Sequence, residues 1–297
     1  MSRRLRKILG LPSTAARWWR RTTTAPAAEQ WLVLVGLPTL LVVSWLAGLE
    51  TQFAFRLNAE SIWDSPRTLL TAFTANYAHF GARHLFDNLL NYWVTLFAIY
   101  PLVAIADWGR QFRLSVLSYL VVAPFVIAVV TLALVNPSTE QFVVGFSGIV
   151  AALLGFLPVA LAAAASEQTD GAVDASWAVV PVLFSVALVF LLPSGPYFRS
   201  QSTLAVGVGL TGVVVAGVLW AGTSTHRLRQ YSRQLTPDVL LAFLIGTTVF
   251  VFGIAGAFVF VHAGTNVWGH LAGYLVGFII PYFGFVIRPL LINSVPE

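Results

Sequence analysis

The sequence contains no cysteine, a single lysine and few charges: only 10% of its 297 residues are Asp, Glu, Lys or Arg. Without cysteine, the chain has no disulfide framework, no Cys-ligated zinc site and no thiol nucleophile. Water-soluble domains have roughly a quarter of their residues charged, so this chain cannot cover a water-exposed surface. A disordered chain has the opposite bias, toward charged and away from apolar residues, and is excluded as well.

In place of charge, the sequence is rich in apolar residues. They make up 58% of the chain, and the mean hydropathy is +0.80. The apolar runs are about 18 to 24 residues long and do not alternate with polar residues, as the strands of a transmembrane barrel do. The composition therefore predicts an all-α membrane protein.

Eight apolar stretches predict transmembrane helices within a single membrane domain. Two of them are less typical, because 177–193 is short and 204–222 is rich in glycine. The predicted helices lie at about residues 31–49, 84–105, 114–135, 143–165, 177–193, 204–222, 238–261 and 266–287.

The basic residues predict the orientation of the chain. If the N-terminus lies inside and the helices alternate, the inner segments hold thirteen of the 17 basic residues and the outer segments hold four. Such an excess is typical of cytoplasmic segments, so both termini are predicted on the cytoplasmic side of the cell membrane. The predicted parts are a basic cytoplasmic segment at 1–30, a transmembrane domain at 31–287 and a cytoplasmic tail at 288–297.

Two segments outside the helices are predicted to lie on the membrane surface. The basic segment 1–30 is typical of contacts with anionic lipid headgroups, and no nucleic-acid partner is expected, because no fold-sized segment accompanies it. No apolar region precedes Trp31, so a cleavable signal peptide is not predicted. The connection 50–83 is amphipathic, which predicts a position in the outer interface.

Three polar motifs are predicted at the outer ends of helices, at one depth. They are His79-x4-His84-x3-Asn88, Gly145-Phe146-Ser147-Gly148 and His270-x2-Gly273-x3-Gly277. Each alone has an ordinary explanation, since small residues, Ser and Asn join membrane helices and interfacial His reaches toward water. Polar groups at membrane depth are costly, so three such motifs on one side indicate a functional site.

Small residues predict how the second and third motifs meet. One stripe of small residues accompanies Ser147 on its helix, and another follows His270; such stripes let helix backbones approach closely. We therefore expect Ser147 Oγ within hydrogen-bond reach of the imidazole. The stripes are Gly148, Ala152 and Gly155 on one helix, and Gly273 and Gly277 on the other. A serine beside an imidazole base is the minimum for nucleophilic acyl transfer, and with no carboxylate near His270 in sequence a dyad is favoured over a triad.

The same region has candidates for an oxyanion site. Ser147 is predicted near a helix N-terminus, where backbone N–H groups lack intrahelical partners. Gly145 and Gly148 would let a substrate carbonyl approach this backbone. His84 and Asn88 can supply side-chain donors, each typically lowering the barrier by about 3 kcal/mol.

These motifs, in this order, resemble those of the rhomboid family of intramembrane serine proteases. The resemblance covers about residues 31–287. It implies Ser147 as nucleophile and His270 as general base and acid, His84 and Asn88 as oxyanion partners, and His79 as a structural residue. It also implies a rhomboid-like helical bundle that hydrolyses peptide bonds in or near the transmembrane helices of membrane protein substrates, without a cofactor.

The Trp-Arg pair common in the family's first outer loop is absent here, with Trp63 and Arg67 the nearest candidates, and two further features depart from the family. Its core has six helices, and here about two extra transmembrane helices are predicted between the nucleophile and the base, about eight in total. An even number keeps His270 on the outer side, and the stretch 238–261 is favoured as the fifth core helix because it adjoins His270. Second, many members have an aromatic residue four positions after the serine, against which the base packs. Here it is Ala151, and Tyr274 is the candidate substitute.

Two other functions remain open at this point. A catalytically inactive rhomboid-like protein would bind membrane clients, although such relatives typically lack the serine or the histidine. A transporter or channel would have charges in mid-helix or paired broken helices, whereas this chain offers only Asp87, near a helix end. A metal site is not predicted, because scattered histidines without carboxylates make a poor cage. The substrate and the oligomeric state are not predicted.

Overall fold

The computed structural model describes residues 27–135, 142–192, 200–232, 235–261 and 264–288. The part of the predicted basic segment before residue 27 and the predicted tail after residue 288 lie outside these ranges. Most described residues are helical, and a short ladder pairs two strands of two residues each.

The helices are numbered in chain order. The first seven are α1 (Ala27–Trp31), α2 (Leu37–Leu46), α3 (Glu50–Phe53), α4 (Pro66–Thr74), α5 (Ala82–Ala106), α6 (Gly109–Val121) and α7 (Ala123–Leu134). The others are α8 (Ser147–Gln168), α9 (Val179–Leu191), α10 (Ser202–Gly222), α11 (Thr225–Ser232), α12 (Pro237–Ile254) and α13 (Val267–Pro281). Helical turns of π type lie at Leu32–Gly36, Ala255–Val259 and Tyr282–Ile287, and the strands are β1 (Phe55–Arg56) and β2 (Phe142–Val143).

Within the described ranges, six helices are long and apolar enough to cross a membrane, which confirms the prediction of an all-α, multi-pass membrane protein. These spans are Ala28–Leu46, Ala82–Ala106, Ser147–Gln168, Ser202–Gly222, Pro237–Val259 and Val267–Ile287. The pair α6 and α7 makes a seventh if its 45° bend is counted as one span, and the apolar helix Ala175–Leu191 is shorter than the others. The predicted number of eight is therefore not reached by length and composition alone.

The bend between α6 and α7 has a proline as its cause. Pro124 has no N–H to donate to the carbonyl of Leu120, four residues earlier, and its ring opposes a straight helix. The hydroxyl of Tyr77 donates to that Leu120 carbonyl instead, at 2.6 Å. An unpaired carbonyl is costly in lipid, so this bond stabilises the bend.

Two other helical prolines have the same arrangement, in which an aromatic side chain of a neighbouring helix donates to the carbonyl that the proline leaves unpaired. Trp93 Nε1 donates to the Leu34 carbonyl opposite Pro38, at 3.0 Å, and the Tyr119 hydroxyl donates to the Gly277 carbonyl opposite Pro281, at 2.7 Å. The three bonds join α5 to the first span, the 3₁₀ turn Ala75–Tyr77 to α6, and α6 to α13.

The helix α8 lies in the centre of the bundle, between α5 and α13, and most of its residues are buried. In contrast, α10 packs mainly on α9, and only Ala205 and Gly212 of this helix are buried. The pair α9 and α10 therefore lies at the periphery of the bundle.

The predicted helix at 143–165 begins later than expected, at Ser147. The residues before it form β2, which pairs antiparallel with β1, Phe55 opposite Val143. The backbone N–H of Gly145 then donates to the Ala75 carbonyl at 2.9 Å. The amphipathic connection 50–83 is thereby held against the start of α8.

Candidate active site

Gly145 adopts a backbone conformation that favours glycine, with φ of +130°. A Cβ at this position would lie 2.6 Å from His84 Cε1 and 2.9 Å from His84 Nε2. Asn88 Nδ2 would be 3.7 Å away. The absence of a side chain thus allows His84 and Asn88 to approach the loop immediately before Ser147.

His79 holds this loop and Asn88 together. Its Nε2 accepts a hydrogen bond from the Phe146 backbone N–H at 3.3 Å and pairs with Asn88 Nδ2 at 2.9 Å. Since a backbone N–H only donates, Nε2 is unprotonated and the proton of the neutral ring is on Nδ1. The Asn88 amide has a second N–H, which the bond to His79 leaves available.

Burial keeps His79 neutral. Its side chain is fully buried, and its ring centroid lies 5.2 Å from that of His84. Loss of hydration lowers the pKa of His79 to about 3, and repulsion from His84 acts in the same direction. The Nδ1 atom has no hydrogen-bond partner among the described residues.

The two stripes of small residues pack directly against each other. A Cβ on Gly273 would overlap the Gly148 carbonyl, and a Cβ on Gly277 would overlap the Ala152 carbonyl. A Cβ on Gly155 would likewise overlap the Tyr274 carbonyl. The helices α8 and α13 therefore meet backbone to backbone, which places the residues beside Gly148 next to the first turn of α13.

His270 lies in that first turn, with its ring fixed from the end of α12. Its Nδ1 is 3.0 Å from the Ala257 carbonyl, which only accepts, so the proton of the neutral ring is on Nδ1. This leaves the lone pair on Nε2, the atom that a general base uses. Asn266 caps α13 by accepting from the Gly269 N–H at 2.9 Å and donates to Thr131 Oγ1 at 2.8 Å.

The predicted site residues line a cavity of about 1070 Å³. It is lined by Ser147, His270, His84, Asn88, Gly145 and Gly148, together with residues of α7 and α12. It continues along α5 past Asn91 and Thr95 and reaches Val94 and Phe252. Both of these side chains are exposed on the outside of the bundle, so the cavity borders the lipid-facing surface between α5 and α12.

Ser147 and His270 share the cavity without a direct bond: within the described ranges, Ser147 Oγ has no hydrogen bond to the imidazole. Catalytic hydrogen bonds are often long in the absence of substrate and tighten in the complex. Ser147 is the first residue of α8, where the N–H groups of the opening turn lack intrahelical acceptors. A serine hydroxyl and an imidazole with an unprotonated Nε2 thus line one cavity, beside the N–H groups of the opening turn of α8.

Gly273 and Gly277 do not line the cavity and pack α13 against α8, which is the structural place predicted for their stripe of small residues. One predicted contact differs. The ring of Tyr274, the expected aromatic partner of His270, contacts Phe258 instead, at 5.8 Å between centroids. Phe258 in turn contacts His270, at 6.4 Å and 80°.

Sequence reasoning missed Ala257, Phe258 and Asn266. Asn266 has a recognisable signal, an Asn directly before a helix. Ala257 acts through its backbone and Phe258 is one of 22 phenylalanines, so neither has a signal in the sequence. No group of three or more His, Asp or Glu side chains in the described ranges is placed to hold a metal ion.

In comparisons with known proteins, no family model, no curated protein and no solved structure matches this chain.

Proposed function

We propose that the protein is an intramembrane serine endopeptidase of rhomboid type. The observation that carries the proposal is the cavity that Ser147, His270, His84 and Asn88 share, with His270 Nδ1 bound to the Ala257 carbonyl and Nε2 left as a base. The substrates are membrane proteins with a transmembrane helix, cleaved in or near that helix. The site needs no cofactor.

The reaction follows from the protonation states. His270 Nε2 takes the proton of Ser147 Oγ as the oxygen attacks the substrate carbonyl carbon, and the carbonyl oxygen becomes an oxyanion. The imidazolium then gives this proton to the leaving amine as the C–N bond breaks. A water molecule attacks the acyl-enzyme with His270 again as base, which releases the carboxylic acid and regenerates the serine.

Donors for the oxyanion come from two sources. The first is the opening turn of α8, in which the Ser147 and Gly148 N–H groups lack intrahelical partners. The second is the N–H of Asn88 that is not bound to His79. His84 also lies at Gly145, on the side where a Cβ would project. Fixed donors aimed at developing charge are the largest single contribution in many enzymes.

The six-helix core comprises the first span, α5, the bent pair α6 and α7, α8, α12 and α13; α9 and α10 are the two added helices, eight in all. Both termini then lie in the cytoplasm, and the site opens on the extracellular face of the cell membrane. A substrate helix enters between α5 and α12, where the cavity borders the lipid-facing surface.

Cleavage of single-span reporter proteins by purified enzyme in detergent or vesicles tests the proposal. Ser147→Ala and His270→Ala should abolish cleavage, whereas Ser118→Ala, which removes a hydroxyl on α6 bound to the Leu114 carbonyl, should leave it unchanged. The sites of cleavage are mapped by mass spectrometry. Undiminished cleavage by either of the first two variants contradicts the mechanism.

A second candidate is a catalytically inactive rhomboid-like protein that binds membrane clients. The lack of a hydrogen bond between Ser147 Oγ and His270 in the described ranges favours it. Covalent labelling by a fluorophosphonate separates the two functions, because only an activated serine reacts. Labelling of the wild type that is lost in Ser147→Ala excludes the inactive protein.

A further inference from the structure

The imidazole of His270 is held by two consecutive residues, Ala257 and Phe258. Ala257 accepts the Nδ1–H through its carbonyl at 3.0 Å, and the Phe258 ring packs edge-on at 6.4 Å between centroids. Phe258 is fully buried. One contact fixes the tautomer of the base, and the other restricts the rotation of its ring.

A π-helical turn makes both contacts available. At Ala255–Val259 the end of α12 widens, and the Phe260 N–H donates to the Ala255 carbonyl five residues earlier, at 2.8 Å. The last carbonyls of a helix lack intrahelical donors, so that of Ala257 is free for His270. Turns of this type occur often at functional sites because they redirect backbone groups and side chains.

Phe258 is held in turn by the helix that carries the base. Tyr274, one helical turn after His270, is fully buried and contacts the Phe258 ring at 5.8 Å and 72°. The Phe258 ring thus makes an edge contact with each of the two rings, at 80° to His270 and 72° to Tyr274, and these contacts restrict its rotation. The position of Phe258 therefore depends on Tyr274.

Tyr274 is anchored to α9. Its hydroxyl lies 2.7 Å from Ser185 Oγ, and both side chains are buried. Ser185 Oγ donates its single proton to the Val182 carbonyl at 2.8 Å, so Tyr274 is the donor in the bond to Ser185. Because the Ser185 hydroxyl is itself held by the Val182 carbonyl, its bond from the Tyr274 hydroxyl sets the position of the Tyr274 ring.

We propose that α9 positions the general base through the path Ser185, Tyr274, Phe258 and His270; this inference rests on the proposed function. The path places the Phe258 ring, from the π-helical turn after α12, against the base. Ala151 on α8 offers only a buried methyl group. It gives the peripheral helix α9 a part in catalysis without any contact with substrate. Ser185, Tyr274 and Phe258 are positioning residues.

The first test removes single hydroxyl groups from this path. In Ser185→Ala and Tyr274→Phe, kcat for reporter cleavage should fall about three- to tenfold with KM unchanged, the size expected for one lost hydrogen bond. The double variant should be no slower than the slower single variant, because both remove the same bond. Phe258→Leu should lower kcat further, about tenfold or more.

Tyr282→Phe is the matched control. Its hydroxyl also joins the end of the base helix to the segment before α9, by a 3.2 Å bond to the Ser176 carbonyl, but it is not among the rings around His270. This variant should keep the wild-type kcat. If kcat falls equally in Tyr282→Phe, or tracks the melting temperature across all variants, the effect is general stability and the positioning role is wrong.

A spectroscopic measurement reports the base directly. The ¹⁵N chemical shifts of the His270 ring, assigned with His270→Gln, should indicate the Nδ1-protonated tautomer in the wild type and a mixture of tautomers in Phe258→Leu. If Phe258→Leu changes neither the tautomer nor kcat, this inference is wrong, while the proposed function is unaffected. A wild type that neither cleaves reporters nor reacts with a fluorophosphonate overturns the proposed function, and this inference with it.

Discussion

Gly273 lies against the carbonyl of Gly148 with no room for a methyl group between the helices α8 and α13. The contact is made by backbone atoms on both sides, so no side chain can move aside to relieve a clash. It also aligns the first turns of the two helices, which carry Ser147 and His270. The spacing of Ser147 and His270 therefore depends on the close packing of Gly273 against Gly148.

Replacing Gly273 by alanine should force the two helices apart. We expect a loss of about 1 to 3 kcal/mol in the free energy of unfolding, as for other overpacked cores, and a kcat below that of the wild type. Unfolding in mixed detergent micelles measures the first, and reporter cleavage the second. Gly217→Ala on α10, where nothing lies within 4 Å of the new Cβ, is the control and should retain both values.

The bond between Tyr119 and the Gly277 carbonyl should be worth more than an ordinary surface hydrogen bond. In Tyr119→Phe the carbonyl loses its donor while Pro281 still supplies none, and we expect a loss of about 1 to 3 kcal/mol in the free energy of unfolding. Restoring a backbone N–H with Pro281→Ala in the same chain should recover part of this loss. Equal stability of the single and the double variant would contradict this explanation.

The neutral state of His79 predicts that stability depends on pH. Its pKa is about 3 in the folded protein and near 6.5 when unfolded, so its contribution is complete above pH 6.5 and declines as the pH falls toward 3. Between pH 7.5 and 5, this residue alone should account for a loss of about 2 kcal/mol. Unfolding at both pH values measures the difference.

His79→Gln is the matched control for this pH dependence. A glutamine amide oxygen can accept the Phe146 N–H in place of Nε2, but it does not titrate. The loss of stability on acidification should therefore be about 2 kcal/mol smaller in His79→Gln than in the wild type. If both proteins lose the same amount of stability on acidification, titratable groups other than His79 cause the loss.

Asn88 should act on the transition state rather than on substrate binding. Asn88→Ala removes the N–H that we assign to the oxyanion, so kcat should fall by about a hundredfold or more with little change in KM. Asn91→Ala, on the same helix and the same cavity, removes an amide that bonds the Asp87 carbonyl and should have a far smaller effect. A similar loss in both variants would point to the stability of α5 instead.

The sequence predicts which residues line the cavity better than it predicts where the helices begin and which side chains hold those residues in place. Ser147, His270, His84 and Asn88 line one cavity, as their shared depth predicts, because polar residues in an apolar chain are few and must face inward. The start of α8 was wrong by four residues, since apolar Phe142, Val143 and Val144 suit a strand and a helix equally. Pairing with β1, a contact distant in sequence, decides between them.

The support of His270 is not predictable from sequence for a different reason. Ala257 contributes only a carbonyl, which every residue has, and its availability depends on where α12 widens and ends. Tyr274 was expected to contact the base, but in an α-helix its side chain points to a place set by the neighbouring helices. Phe258 occupies the space between the two rings.

The three bonds from Trp93, Tyr77 and Tyr119 to proline-freed carbonyls have a consequence for assembly. A helix that enters the bilayer alone carries its unpaired carbonyl in lipid until the correct neighbour arrives. A wrong neighbour, or the right one shifted by a turn, leaves the carbonyl unpaired. Each of these prolines thus favours one neighbouring segment in one register. The arrangement of the bundle is therefore specified at the positions where an isolated helix is least stable in lipid.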